Sequence, residues 1–314
     1  MPSKLTAAVV AAGAASAVLY GAVLFSGMSA VPFAFFAQLP LFVAGLSFGW
    51  PAAALAGGVG SAGIAALGGL SLAATFALML AGPVAILCQR ALRHRTAPDG
   101  STQWYPPGRL AGDATLLALA VALGHAVLLA SLGEEMQALL RGRLDPGTVP
   151  LTPEEEAMRE VVRAIVPVLP GFAGGQWLWM LTINGALGQW IARRAGTAWR
   201  PSPRMADLEL PGWMTGLFAL AVIGSLLPGL SGAIGANAVV VLLAAYTLGG
   251  LAIVHAAAAR WGNPALALTT VYLASLLTLG APLLPIAAAG VLEPWMKLRA
   301  RLSGGGAGRG RTPQ

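Results

Sequence analysis

The chain is dominated by apolar runs that are each about as long as a membrane crossing. A helix needs about 20 mainly apolar residues to cross roughly 30 Å of hydrocarbon, and residues 5–25 form the first run of that length. Charged residues make up only 10% of the chain, whereas soluble domains carry about 25%. A soluble fold could not cover so much apolar surface, so the runs predict an integral membrane protein.

Turn-like junctions and charged loops divide the apolar sequence into ten candidate spans. The junctions contain Gly, Pro or Ser, or carry several Arg residues. The candidate spans are residues 5–25, 31–50, 51–70, 71–92, 110–132, 171–191, 211–229, 233–259 and a hairpin within 264–295. Eight crossings with a re-entrant pair fit the charges equally well. The prediction is an all-α, polytopic transmembrane helical bundle of 8–10 spans.

The carboxylates are concentrated in one segment and indicate how the chain is oriented. Residues 133–169 contain seven of the 12 Asp and Glu residues, although the net charge of the chain is +7. Lys and Arg in short loops stay on the cytoplasmic side, whereas carboxylates contribute little to orientation. The acidic segment is therefore predicted to lie outside the bacterial cytoplasmic (inner) membrane. Both termini and the Arg-rich loops are predicted to be cytoplasmic.

One amphipathic helix is predicted within this acidic segment. Thr152 suits an N-cap, Pro153 suits the first helical position and Glu155 completes a capping box. Apolar residues then recur at helical spacing, namely Met158, Val161, Val162, Ile165 and Val166. Such a helix either connects two spans along the outer headgroups or closes over the bundle as a lid.

The domain prediction follows from the same pattern. Residues 1–302 are predicted to form a single transmembrane helical domain that includes the acidic segment. Residues 303–314 are rich in Gly and carry Arg309 and Arg311. That composition is typical of a flexible, solvated tail, here basic and cytoplasmic.

Polar side chains within apolar runs are costly in a membrane and are candidates for a functional site. A substrate-binding pocket is predicted from four such residues: His125, Gln176, Asn184 and Asn237. Gln38 is a further deep polar group. The alternative is that each side chain simply bonds a neighbouring helix, which is worth on average about 0.6 kcal/mol in membranes.

Asp113 is the only carboxylate that lies plainly within a predicted span. It follows Arg109 by four residues and sits in the first turn of its helix, where the helix dipole and a local ion pair both favour it. The sequence therefore predicts a structural pair of Asp113 with Arg109 near the inner surface.

Several kinds of chemistry have no signature in this sequence. It contains no phosphate-binding Gly-rich loop, no zinc helix and no nucleophile elbow. The three His residues lie at different predicted depths, and Cys88 is the only cysteine. The Arg residues lie in loops beside the apolar runs, which does not favour a nucleic-acid partner. We therefore expect no catalytic residue, no metal site, no cofactor and no enzymatic activity.

Three stretches resemble a known family. They are residues 39–51 (LPLFVAGLSFGWP), 251–256 (LAIVHA) and 290–299 (GVLEPWMKLR). Together they resemble the YybS-like family, a bacterial group of predicted multi-pass membrane proteins with a domain of unknown function. More distantly, the Gly- and Pro-punctuated second and third spans are similar to those of S components of energy-coupling factor importers and of the rod-shape protein MreD.

Two functions remain open at this point. The similarity to S components implies a transporter or a substrate-binding membrane subunit, whose partners would be other membrane subunits or a separate ATPase module. The alternative is a non-enzymatic membrane scaffold of cell-envelope biogenesis, in which the spans only pack and the outer segment and inner loops bind partners. Both functions require contact with the lipid bilayer.

Overall fold

Helices account for most of the chain that the computed structural model describes, namely residues 2–131, 152, 156–157, 160 and 165–304. Within these residues the only sheet is a two-stranded antiparallel hairpin. Its strands are β1 (His94–Thr96) and β2 (Thr102–Trp104). The predicted all-α, polytopic helical bundle is therefore confirmed.

The helices follow one another with short connections. They are α1 (Pro2–Ser26), α2 (Val31–Phe35), α3 (Leu39–Phe48), α4 (Trp50–Phe76), α5 (Gly82–Ala91), α6 (Pro107–Ser131), α7 (Leu169–Arg194), α8 (Trp213–Ser225), α9 (Gly229–Ala258), α10 (Pro264–Leu277), α11 (Leu283–Met296) and α12 (Leu298–Gly304). A π-helical segment, Ala77–Ala81, joins α4 to α5. Helix α4 is kinked at Gly69, whose φ of 81° is accessible to glycine without strain.

Four helical stretches among the described residues are long and apolar enough to cross a membrane. They are Lys4–Phe48, Trp50–Ala91, Pro107–Leu129 and Gly229–Ala258. The first two contain 45 and 42 residues, about twice what one crossing needs at 1.5 Å per residue. Both are interrupted, the first between α1, α2 and α3 and the second at Gly69. Each predicted span contains helical residues, but Trp213–Ser225, Pro264–Leu277 and Leu283–Met296 are shorter than one crossing needs, and the number of crossings stays a prediction.

The chain packs as two compact units. The first contains Met1–Ala114 and Trp179–Arg204, and the second contains Thr115–Leu178 and Met205–Gln314. Helices α6 and α7 contribute residues to both units. The single domain predicted for residues 1–302 stays a prediction.

Small residues allow close packing inside the first unit. A Cβ atom added to Gly13 on α1 would lie 2.7 Å from Val59 Cβ on α4, and one added to Gly60 would lie 2.9 Å from the Phe76 ring. Real Cβ atoms do not approach so closely. The contact between α1 and α4 therefore depends on Gly13, and the contact between Gly60 and Phe76 within α4 depends on Gly60. Small residues at helix contacts are typical of membrane bundles.

The second unit is centred on α9 and α11. A Cβ atom added to Gly250 would clash with the carbonyl oxygen of Ile286, and one added to Gly290 would clash with that of Tyr246. The two backbones are therefore in direct contact. Tyr246 also packs edge-on against Phe218 of α8, with ring centroids 5.4 Å apart, so α9 lies at the core of this unit.

Two sequence predictions fall mainly on residues that the structure does not describe. The amphipathic helix between Thr152 and Val166 and most of the acidic segment lie outside the described residues. Helix α12 ends at Gly304, so the first two residues of the predicted tail are helical. Residues 305–314 lie outside the described residues.

Candidate functional site: a buried helix break in the first unit

Three of the four predicted site residues belong to the second unit. His125 and Gln176 are exposed there, and His125 Nδ1 lies 2.7 Å from the carbonyl oxygen of Val121 in its own helix. Asn237 is fully buried. No hydrogen bond joins any two of these three residues within the described part of the chain. Their role in substrate binding stays a prediction.

Asn237 is held by hydrogen bonds on both sides of its amide. Its Oδ1 accepts from the backbone N–H of Gly171 at 2.6 Å, and its Nδ2 donates to the carbonyls of Pro167 at 3.0 Å and Ala233 at 2.8 Å. These bonds fasten α9 to the beginning of α7. Interhelical bonding was the alternative that the sequence left open for this residue, and it accounts for both polar atoms of the amide.

Asn184 lies in the first unit, beside an interruption between α2 and α3. The backbone bonds at this break are i→i−3 bonds, from Phe36 to Phe33 and from Leu39 to Phe36. The break has a local cause, because Pro40 has no N–H and its ring would clash with the carbonyl four residues earlier if the helix continued. A helix break inside an apolar bundle leaves backbone groups that need other partners.

Two side chains from other helices satisfy the carbonyls at this break. Asn184 Nδ2 donates to the carbonyl oxygen of Phe35 at 2.8 Å, and Ser16 Oγ donates to that of Ala37 at 2.6 Å. Both side chains are fully buried. Helices α1 and α7 therefore hold the broken segment in place from two directions.

Gln38 lies within the same break and is also fully buried. Neither its Nε2 nor its Oε1 has a hydrogen-bond partner among the described residues, and the same holds for Asn184 Oδ1. A buried polar group without a partner costs about 1–3 kcal/mol. The break thus contains an amide with two free donors and one free acceptor, and a second free acceptor on Asn184.

Gln38 is recognisable in the sequence as a deep polar group, but sequence alone does not place it in the site. The signal that marks it is the pair of prolines, Pro32 and Pro40, which stand near the starts of α2 and α3. Broken helices in transporters are the best pointer from sequence to a binding site. Ser16 gives no comparable signal, since a single Ser in an Ala-rich helix is commonplace.

The partner predicted for Asp113 is wrong. Asp113 Oδ2 accepts a hydrogen bond from the Tyr105 hydroxyl at 3.0 Å and lies 3.9 Å from Arg90 Nε. Burial, and then the bond to Asp113, raise the pKa of Tyr105. The β hairpin between α5 and α6 brings Arg90 and Tyr105 to the carboxylate, which sequence spacing along one helix does not reveal.

No group of three or more His, Cys, Asp and Glu side chains in the described part of the chain is arranged to hold a metal ion. The groups at the helix break are neutral amides and a hydroxyl. These groups can donate and accept hydrogen bonds.

The fold and the apolar helices define a polytopic helical membrane protein. The chain belongs to the family described as predicted membrane protein (DUF2232), which matches residues 14–292. This confirms the YybS-like resemblance, and the matched range contains the helix break with Ser16, Gln38 and Asn184. No curated protein and no solved structure matches the chain.

Proposed function

We propose that the protein is a solute-binding membrane subunit of the transporter or S-component type, and that the solute binds at the break between α2 and α3. The observation that carries this proposal is Gln38, a fully buried amide without a partner among the described residues. Native proteins rarely leave buried polar atoms unpaired. A ligand that forms hydrogen bonds with the Gln38 amide would supply the missing partners.

The geometry of the break supports binding. In transporters, substrate sites are typically formed by discontinuous helices, because irregular backbone is tolerated where it lines a cavity. Here Ser16 and Asn184 already hold the carbonyls of Ala37 and Phe35. The break therefore does not need the solute to keep its shape, and such preorganisation reduces the entropy lost on binding.

The chemistry of the break favours a neutral solute. Gln38 offers two N–H donors and an acceptor, and Asn184 Oδ1 offers a second acceptor. A solute with hydroxyl or amide groups matches this set, whereas a buried ion would need an opposite charge. The same set lacks an acid, a base and a nucleophile, which supports a binding role without enzymatic activity.

The proposed site retains Asn184 from the four residues identified by sequence and adds Gln38 and Ser16. Participation of His125, Gln176 and Asn237 stays a prediction. Energy for transport would come from other membrane subunits or a separate ATPase module. We place the protein in the bacterial cytoplasmic membrane with both termini inside, as the Arg-rich loops indicate.

Affinity capture from native membranes tests this proposal, with mass spectrometry of co-purified proteins and of released metabolites. The variant is Gln38→Met, which keeps the side-chain length without the amide. The matched control is Gln103→Met, since Gln103 is exposed on β2. We expect a metabolite to co-purify with the unchanged protein and with the control, and not to co-purify with the Gln38→Met variant.

Two outcomes would contradict the proposal. One is a metabolite that binds equally to all three proteins, which would locate the site elsewhere. The other is the absence of any metabolite together with capture of envelope-assembly proteins, which would favour the scaffold of cell-envelope biogenesis.

A further inference from the structure

Arg200 is a buried cation in the loop after α7. Only 7% of its surface is exposed. Its Nη1 donates to the carbonyl oxygen of Ala91 at the end of α5, at 2.8 Å, and its guanidinium lies 5.9 Å from the centroid of the Trp104 ring. Its Nε is buried without a partner among the described residues. Burial lowers the pKa of this group.

This cation is not neutralised by a carboxylate of the described chain. The ion pair that the structure gives for Asp113 is with Arg90, and Asp99 accepts from Ser101 within the hairpin turn. The carbonyl end of α5 contributes only about half a negative charge. Burying a charge without a full counter-charge costs several kcal/mol of free energy. A bound anion beside Arg200 would offset that cost.

The surroundings of Arg200 add to the positive charge. In the first unit, the loops and helix ends near the β hairpin and the α7 terminus carry six further arginines: Arg90, Arg93, Arg95, Arg109, Arg193 and Arg194. The carboxylates within residues 90–113 and 193–200 are Asp99 and Asp113. This surplus attracts anions and retains them.

Tryptophans accompany these arginines, as they do at a membrane surface. Trp190 and Trp199 are 55% and 58% exposed, and the Arg194 guanidinium lies 5.3 Å from the Trp190 ring centroid. Exposed Trp side chains are enriched at the level of lipid headgroups. The arginine-rich end of the first unit is therefore positioned to meet headgroups rather than the aqueous phase alone.

The loop that carries Arg200 is fixed before any anion binds. Gln189 Nε2 donates to the Arg200 carbonyl at 2.8 Å, and the hydroxyls of Ser47 and Thr197 are 2.8 Å apart. The loop is thereby tied to α7 and α3. With its loop held in this way and its Nη1 bonded to Ala91, the Arg200 guanidinium loses less conformational entropy when it binds an anion.

We propose that Arg200 anchors a binding site for the phosphate group of an anionic phospholipid, completed by the neighbouring arginines. A phosphate diester supplies the full negative charge that the chain lacks here and accepts charge-assisted hydrogen bonds from guanidinium groups. Basic pockets beside membrane helices bind anionic headgroups in the same way. This site is independent of the solute site at the helix break.

The test is thermal unfolding of the full-length protein in detergent with added phosphatidylglycerol or phosphatidylcholine. Arg200→Gln is compared with Arg301→Gln, which removes an exposed arginine of α12 that is not among the arginines of the proposed site. We expect phosphatidylglycerol to stabilise the unchanged protein and the Arg301 variant, with about tenfold weaker apparent affinity or worse for the Arg200 variant. An equal response of both variants, or equal effects of the two lipids, would overturn the inference.

Two further experiments distinguish a lipid from a soluble phosphate and provide a test if the variant does not fold. Inorganic phosphate at millimolar concentration should not reproduce the stabilisation; if it does, and competes with the lipid, the ligand is a soluble phosphate compound and the lipid assignment is wrong. If Arg200→Gln does not fold, photoactivatable phosphatidylglycerol is crosslinked to the unchanged protein. Crosslinks concentrated in residues 90–109 and 193–204 support the site, and crosslinks confined to other regions contradict it.

Discussion

The side-chain nitrogen of Asn184 lies 2.8 Å from the carbonyl oxygen of Phe35, a residue 149 positions away in the chain. Ser16 makes the equivalent bond to the carbonyl of Ala37. These two bonds replace helical hydrogen bonds that the chain cannot make around Pro40. The break between α2 and α3 is thus held in a defined conformation by the first unit. Its remaining unpaired polar groups belong to Gln38 and Asn184.

Removing the Ser16 hydroxyl should destabilise the protein. Ser16→Ala leaves the buried carbonyl of Ala37 without its side-chain donor, which we expect to lower the free energy of unfolding by about 0.6–1.7 kcal/mol. Ser61→Ala is the matched control, because the Ser61 hydroxyl bonds to the carbonyl of Gly57 one turn earlier in its own helix. The control should change stability by less than about 0.5 kcal/mol. Unfolding by sodium dodecyl sulfate measures both, and equal effects would contradict the bracing role of Ser16.

Replacing Gln38 with an apolar side chain should stabilise the unliganded protein. Gln38→Met removes a buried amide without a partner among the described residues, so we expect a gain of about 1–3 kcal/mol in the free energy of unfolding. Stability would rise while solute binding is lost. The same detergent titration measures the change, and a loss of stability would mean that the amide is already satisfied and that no solute is needed.

The contact between α9 and α11 should tolerate no side chain at its centre. In Gly250→Ala the new methyl group would overlap the carbonyl of Ile286, so we expect a loss of about 1–3 kcal/mol. Gly216→Ala is the control, since a Cβ atom there meets nothing within 4 Å. That substitution should be stabilising by about 0.5–1 kcal/mol, because alanine is the better helix former. Thermal unfolding compares the two, and similar shifts in Tm would argue against direct backbone contact.

The amide of Asn237 should contribute to stability in the second unit. Asn237→Leu removes its bonds to Gly171, Pro167 and Ala233, and at about 0.6 kcal/mol for each bond we expect a loss of about 2 kcal/mol. Gln176→Leu is the control, because Gln176 is exposed on α7. Unfolding in detergent distinguishes them, and an unchanged free energy in the Asn237 variant would show that these bonds are not stabilising.

The helices were predictable from the sequence because their signal is local. A run such as residues 233–259 is mainly apolar over the length of a crossing, and it forms most of α9. Pro40 also gives a local reason for the break before α3. The kink at Gly69 lies next to the boundary between the predicted spans 51–70 and 71–92, but the sequence does not specify its geometry, since glycine permits many backbone conformations.

The arrangement of polar groups was not predictable, because it depends on tertiary packing. Asn184 and Asn237 look alike in sequence, each being an amide within an apolar run. In the structure Asn237 has partners for both polar atoms, whereas Asn184 retains a free oxygen. Asp113 likewise pairs with Arg90 across a hairpin instead of with Arg109 along its helix. These partners come from other helices and from the β hairpin, so spacing along the sequence does not specify them.

The orientation of the chain can be tested with reporter fusions. A reporter fused after Gly147 should score outside the membrane, and reporters fused after Gly100, Gly196 and Gly304 should score inside, because the arginine-rich loops are retained in the cytoplasm. Arg200 donates to Ala91, which places the loops that carry Gly100 and Gly196 at the same end of the first unit. Fusions at these two positions must therefore agree with each other whatever the orientation. Agreement between them with both scoring outside would invert the topology, and disagreement would contradict the fold of the first unit itself.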